Sequence, residues 1–186
     1  MVPRSGASAA THAGVNYQQR VSALTLVAML MDLPGEILPE PLGNKYITQL
    51  DFESFRPIDD LIVHCATGGT VFVSIKRSLT LSTSKASDFV SVVNRLVAQF
   101  LDHSSGHSLV VAVSSRASQP IRIELRLICN LLRQSNSFDT LKEQSISVQQ
   151  TFSRVSKVVG SAFASNGKPA NDAAQLLAFL SRLHIV

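Results

Sequence analysis

The run Pro57-Ile58-Asp59-Asp60-Leu61-Ile62-Val63-His64-Cys65, with the run Val71-Phe72-Val73-Ser74-Ile75-Lys76-Arg77 that follows it, constrains this chain more than any other stretch. Between them lies Ala66-Thr67-Gly68-Gly69-Thr70. That is turn chemistry, because glycine supplies the positive φ angles of a tight hairpin. Two short apolar runs around such a turn predict a β-hairpin. The first run opens on acids and the second closes on a lysine. A charge set against an apolar run is costly unless it is paired or bound to something.

Side chains alternate along a strand. Asp60, Ile62 and His64 therefore share one face of the first strand, and Phe72, Ser74 and Lys76 share one face of the second. A hairpin centred near Gly68 sets Asp60 opposite Lys76 and Ile62 opposite Ser74. A slip of one residue brings in Asp59 instead. Either register gathers an acid and a lysine at the open end. One reading of that pair is a structural ion pair beside a sheet edge. The other is chemical. A carboxylate there holds a hard cation such as Mg²⁺ through oxygen, and the lysine stabilises a scissile phosphate or a hydroxide nucleophile. The metal acidifies its bound water and polarises the phosphate.

The rest of the chain predicts an α/β protein. Residues 1–13 are small and polar and read as a flexible arm. Over residues 14–31, Val21, Leu24, Val27 and Met31 recur at helical steps, with Ala23, Leu26 and Leu30 widening the stripe. Asp32-Leu33-Pro34-Gly35 ends that helix, and a loop rich in proline and glycine follows. Residues 46–52 make a candidate strand. Residues 84–102 predict a helix whose face is Phe89, Val93, Leu96 and Phe100, widened by Val92 and Val97. The β-branched run 108–114 suits a strand buried on both faces. Strand, helix, strand in that order predicts a βαβ unit. Helices follow over Ile121 to Leu132, over 141–164 and over 173–184. We divide the chain into the arm, a core over 14–136, and a helical extension over 137–186. The last helical pattern runs almost to Val186 without a stop signal, which predicts continuation into a longer protein.

Composition narrows the function classes. The 186 residues are 45% hydrophobic with mean hydropathy +0.20, which predicts a folded core. Lys and Arg number 17 against 13 Asp and Glu, a net charge of +4 and a pI near 9.4. That balance permits nucleic-acid binding without requiring it. Cys65 and Cys129 both lie in apolar runs, so no disulfide framework is expected and a reducing compartment fits. The apolar stretch 21–31 is too short to span a bilayer and lacks the layout of a signal peptide. A soluble, cytoplasmic protein without membrane contact is expected. There is no Walker A loop, nucleophile elbow or dinucleotide fingerprint.

An acid opening one strand, a turn, and an apolar strand closing on x-x-Lys resembles the PD-(D/E)XK nuclease superfamily. A narrower likeness covers residues 13–115. Gly14-Val15-Asn16-Tyr17-Gln18 opens a helix, then come Asp59-Asp60-Leu61 and Ile75-Lys76-Arg77, and a Ser/Thr-rich segment leads to Phe89. This resembles the N-terminal double-stranded DNA endonuclease domains of bacterial antiphage defence effectors. The resemblance implies a restriction-endonuclease-like mixed sheet flanked by helices. It also implies Mg²⁺-dependent DNA cleavage, assembly into homo-oligomers, and a fused or associated sensor or ATPase module. By position, Asp60 would be the metal-binding aspartate, Lys76 the motif lysine, Gln18 the helix glutamine and Asp59 an alternate ligand. Tyr17 beside Gln18 would pack.

The family carries Glu or Gln two residues before the lysine, where this chain has Ser74. A serine hydroxyl is a short, neutral ligand that serves a cation only through water or beside another carboxylate. Asp51, Glu53 and Glu36 are the nearest sequence candidates for that carboxylate. Two functions therefore stand side by side: a working endonuclease, and a nuclease-fold domain kept for oligomerisation or DNA docking. Arg77, Lys85 and Arg116 add a basic cluster suited to a DNA backbone, and Ser114 and Ser115 end the strand beside Arg116. His103 and His107 are too few for a zinc site. His64, inside an apolar strand, reads as a histidine with a satisfied ring.

Overall fold

The two apolar runs of the hairpin and the β-branched run at 108–114 become the middle of one five-stranded sheet, ordered β1-β2-β3-β4-β5. The computed structural model describes residues 5–31, 46–52, 56–58, 60–66, 68–102 and 107–186, with side chains from His12 onward. The expected loop at 35–45, and Asp59, Glu36, Glu53 and His103, lie outside the described residues. The strands are β1 Ile47–Asp51, β2 Leu61–Cys65, β3 Thr70–Lys76, β4 His107–Val113 and β5 Leu183–Ile185. The first two pairings, β1 with β2 and β2 with β3, are antiparallel, whereas β3–β4 and β4–β5 are parallel. The sheet is therefore mixed. Parallel neighbours need a crossover, and helix α2 Asp88–Asp102 supplies the one between β3 and β4. The expected βαβ unit is present.

Helices cover both faces. Ile62, Phe72, Leu109 and Val111 point to one side, where they pack with α2, α3 Arg126–Ser135, α5 Ile146–Ser165 and α6 Ala173–Arg182. Leu61, Val63, Val71, Val73, Ile75, Val110 and Ala112 point to the other, toward α1 Ser5–Leu30. Burial on both sides is why β3 and β4 read as nearly unbroken apolar runs. At about 25 cal/mol per Å² of apolar surface, each buried Phe or Leu here contributes about 2 kcal/mol relative to exposure.

Several expectations are corrected. The helix α1 reaches back to Ser5 rather than starting at Gly14. Its sheet-facing side is Tyr17, Val21, Thr25 and Ala28, spaced four, four and three. Of the expected stripe only Val21 is on that side; Leu24, Val27 and Met31 are exposed, at 55, 44 and 63%. Small residues at 25 and 28 let the helix backbone approach the sheet, and the Thr25 hydroxyl is satisfied by donating to the Val21 carbonyl at 2.9 Å. The helix expected from Ile121 begins with a π-wound segment, Pro120–Leu125, before α3. The long helix expected over 141–164 is preceded by a separate turn of helix, α4 Asp139–Lys142. The last helix ends at Arg182, and the chain then extends into β5 against the free edge of β4. Residues 137–186 thus contribute both to the core packed on α2 and to the sheet itself.

Candidate active site

The hairpin register is set by its turn. Cys65 donates its N–H to the Gly69 carbonyl and accepts from Gly68, both at 2.9 Å, and Gly68 sits at φ 81°. A Cβ there would be strained, which explains the glycine. The turn closes one residue earlier than a centre at Gly68 requires. Ile62 therefore opposes Phe72, not Ser74, and Leu61 opposes Val73. The correction is a shift of two residues, so every side chain keeps its expected face.

In this register β2 leaves the ladder just before Ile75, and the Asp60 carboxylate takes over. Its Oδ2 accepts from the Ile75 backbone N–H at 2.7 Å, from Ser74 Oγ at 3.2 Å and from Lys76 Nζ at 3.2 Å. Asp60 and Lys76 are only partly accessible, with side chains 11 and 28% exposed. Three donors on one oxygen hold the carboxylate in one orientation. Oδ1 carries no partner among the described residues. Asp60 also lines a cavity with Val15, Gln18, Gln19 and Ser22 of α1 and Phe52 at the end of β1. Sequence-distant Gln18 and Asp60 are therefore brought together, and Ser74 and Lys76 touch the same carboxylate.

The other candidates are placed as follows. Asp51 accepts from Gln49 Nε2 at 2.7 Å through Oδ1 and pairs with His64 Nε2 at 2.9 Å through Oδ2. The Gln49 bond, then the His64 bond, holds its pKa below the usual carboxylate value. Both of its oxygens are thus engaged by Gln49 and His64. His64 is half-buried with its ring on Asp51. His107 is a core residue whose ring meets Phe72 and Phe100 edge-on, with centroids 5.7 and 6.5 Å away. Arg77 and Arg116 line one cleft together with Tyr17 and Arg20 of α1 and with Ser114 and Ser115. Lys85 is exposed in the turn before α2 and is not among the residues lining that cleft. Sequence reasoning missed Arg20. Its spacing of three from Tyr17 and four from Asn16, which also line the cleft, was the available signal.

Among the described residues, no group of three or more His, Cys, Asp or Glu is arranged to hold a metal ion. Mg²⁺ usually retains several waters and takes only one or two carboxylates from a protein. A carboxylate with one oxygen unpartnered among the described residues, lining a cavity with Gln18 and Ser22, fits that demand, and those two side chains could bond to bound water. Comparison with family models, curated proteins and solved structures returned no match. No helix among the described residues is long and apolar enough to cross a membrane.

Proposed function

We propose that the chain is a Mg²⁺-dependent DNA endonuclease domain of a bacterial antiphage defence protein, acting in the cytoplasm on double-stranded DNA. The observation that carries this reading is the Asp60–Lys76 pair at the open end of the hairpin, with one carboxylate oxygen tied down and the other unpartnered among the described residues. The order helix, Asp60, Lys-bearing strand, helix, strand also agrees with a restriction-endonuclease-like core.

Asp60 would hold the metal through Oδ1, with Asp59 as the alternate ligand. Bound Mg²⁺ would supply charge neutralisation and a more acidic attacking water. The chain's own groups do the rest. The Ile75 N–H and Ser74 hydroxyl fix the carboxylate, so that little reorganisation is needed when substrate arrives. The Lys76 ammonium sits 3.2 Å from Oδ2, placed to take up charge developing on a phosphate oxygen. Gln18 across the cavity orients water or phosphate by hydrogen bonding. Homo-oligomerisation and a fused or associated sensor or ATPase module belong to the same proposal.

Plasmid degradation in Mg²⁺ tests it, with wild type beside Asp60→Ala and Lys76→Ala. Both variants are expected to lose cleavage. Equal cleavage by all three proteins would remove these residues from the reaction.

One observation favours a second reading, in which the domain has lost catalysis and serves oligomerisation or DNA docking. Ser74 Oγ occupies the motif position and simply bonds to Asp60. On that reading Ser74→Glu and Ser74→Gln stay inert and titration shows no Mg²⁺ binding.

A further inference from the structure

The carboxyl ends of the parallel strands β3, β4 and β5 converge on one edge of the sheet, where ligands of open α/β sheets commonly sit. Two clefts open on that edge, and Ser114 and Ser115 line both of them. The first also has Arg20, Arg77 and Arg116; the second has Arg122 and Arg126. No Asp or Glu among the described residues lines either one. Of the other described acids, Asp102 pairs with Arg56, Asp139 with Lys142, and Glu124 accepts from Thr151. Among the described residues, arginine is therefore gathered in these clefts without an Asp or Glu side chain lining them. Such a surface stays positive unless an external anion meets it.

The turn between the clefts is held from both sides. Ser114 Oγ donates to the Arg77 carbonyl, and Arg122 Nη1 donates to the Ser115 carbonyl at 2.6 Å. Arg116 N–H in turn donates to Ser114 Oγ at 3.1 Å. Arg116 thus stands on a fixed ridge rather than on a loose loop, with Arg20 and Arg126 presented from helices α1 and α3. Arg77 directly follows Lys76, and α1 lines both this cleft, through Tyr17 and Arg20, and the Asp60 cavity, through Gln18 and Ser22.

We propose that these two clefts form one track for the phosphodiester backbone of duplex DNA, running from Arg122 and Arg126, across the Ser114–Ser115 ridge, to Arg20, Arg77 and Arg116. This rests on the reading that the neighbouring site acts on a phosphodiester. The track assigns Arg20, Arg122 and Arg126 as substrate contacts, on both sides of the ridge. It contacts the backbone through guanidinium forks and hydroxyls, so affinity is independent of base sequence. A backbone engaged on both sides of the ridge is bound over a length greater than the reaction site alone needs.

Binding is measured in EDTA, so that no hydrolysis is required, with the full chain, a short fluorescein-labelled duplex and a salt series. The variants are Arg20→Ala/Arg116→Ala for the first cleft and Arg126→Ala for the second. All three positions are solvent-facing and carry no side-chain partner, so folding is expected to hold and is checked by thermal melting. Each variant should weaken binding several-fold for every base sequence tried, and should flatten the dependence of log K on log salt by about one unit per arginine removed. Three results overturn the track: no duplex binding by the wild type, unchanged affinity and slope in the variants, or loss of binding to polyglutamate with duplex binding intact. The two proposals fail separately. Variants that bind as wild type does, while the wild type cleaves plasmid, leave Asp60 standing and remove the track. Variants that lose binding, while the wild type cleaves nothing, do the reverse.

Discussion

At the scale of single residues, Asp60 serves two ends at once. Its Oδ2 ends the β2–β3 ladder by satisfying the Ile75 N–H, and the same atom anchors Lys76 and Ser74. Removing it leaves a buried strand N–H and a half-buried ammonium without an acceptor. Asp60→Ala is therefore expected to cost about 2–3 kcal/mol of stability, whereas Lys76→Met costs about 1 kcal/mol or less, because the carboxylate keeps its two other donors. Urea unfolding of the two variants checks the order. A smaller loss for Asp60→Ala than for Lys76→Met would mean that the carboxylate does not hold the strand end. Loss of activity in Asp60→Ala must accordingly be read beside its melting curve, and Asp60→Asn, which keeps an acceptor, is the cleaner probe. This dual role was only half legible in the sequence. Alternation placed Asp60, Ser74 and Lys76 on faces that meet. The backbone bond to Ile75 depends on where β2 ends, and no side-chain pattern records that.

At the scale of elements, strands buried on both faces were plain from their unbroken apolar runs, and α2 from its single stripe. Helix α1 was not, because its second half, residues 21–30, is apolar nearly all round, and periodicity alone does not choose a side. The sheet selects the side with Thr25 and Ala28, where a short side chain allows close approach. Ala28 is 1% exposed, so Ala28→Leu is expected to overpack that contact and cost about 1–3 kcal/mol. The exposed Leu24→Ser should change stability by less than about 0.5 kcal/mol. Denaturant midpoints for the pair decide between the observed face and the one periodicity predicts; the reverse order would restore the latter. Strand β5 escaped notice for a different reason. Three residues after a helix are too few to show a period of two, and only the open edge of β4 makes them a strand.

At the scale of the whole molecule, β5 ties the end of the described chain to the sheet that carries the site. His184 lies in that strand at the register of Val110. Burial, and secondarily the charge of Arg133, lower its pKa from 6.5 to about 4. The folded state therefore holds the ring neutral. Above pH 6.5 both states carry it uncharged and nothing is lost. As pH falls from 6.5 to about 4 the unfolded chain takes up the proton first, and stability drops; below about 4 the loss levels off. The ring is only partly enclosed, so the loss is about 2 kcal/mol after allowing for solvent screening. His184→Gln should flatten this part of the stability–pH curve, and an unchanged slope in the variant would remove His184 as its source.

The same sheet brings α1, the Asp60 carboxylate and the arginine-lined edge together around one strand end. The proposed nuclease function requires that this carboxylate take part in phosphodiester cleavage. The most direct measurement is the rate of supercoiled plasmid loss in Mg²⁺ for wild type and Asp60→Asn, with both shown to be folded by near-ultraviolet circular dichroism. Metal-dependent cleavage by the wild type, reduced on the order of 10²-fold or more in Asp60→Asn, is the predicted result. Cleavage at the same rate by both proteins, or none by either, would contradict it.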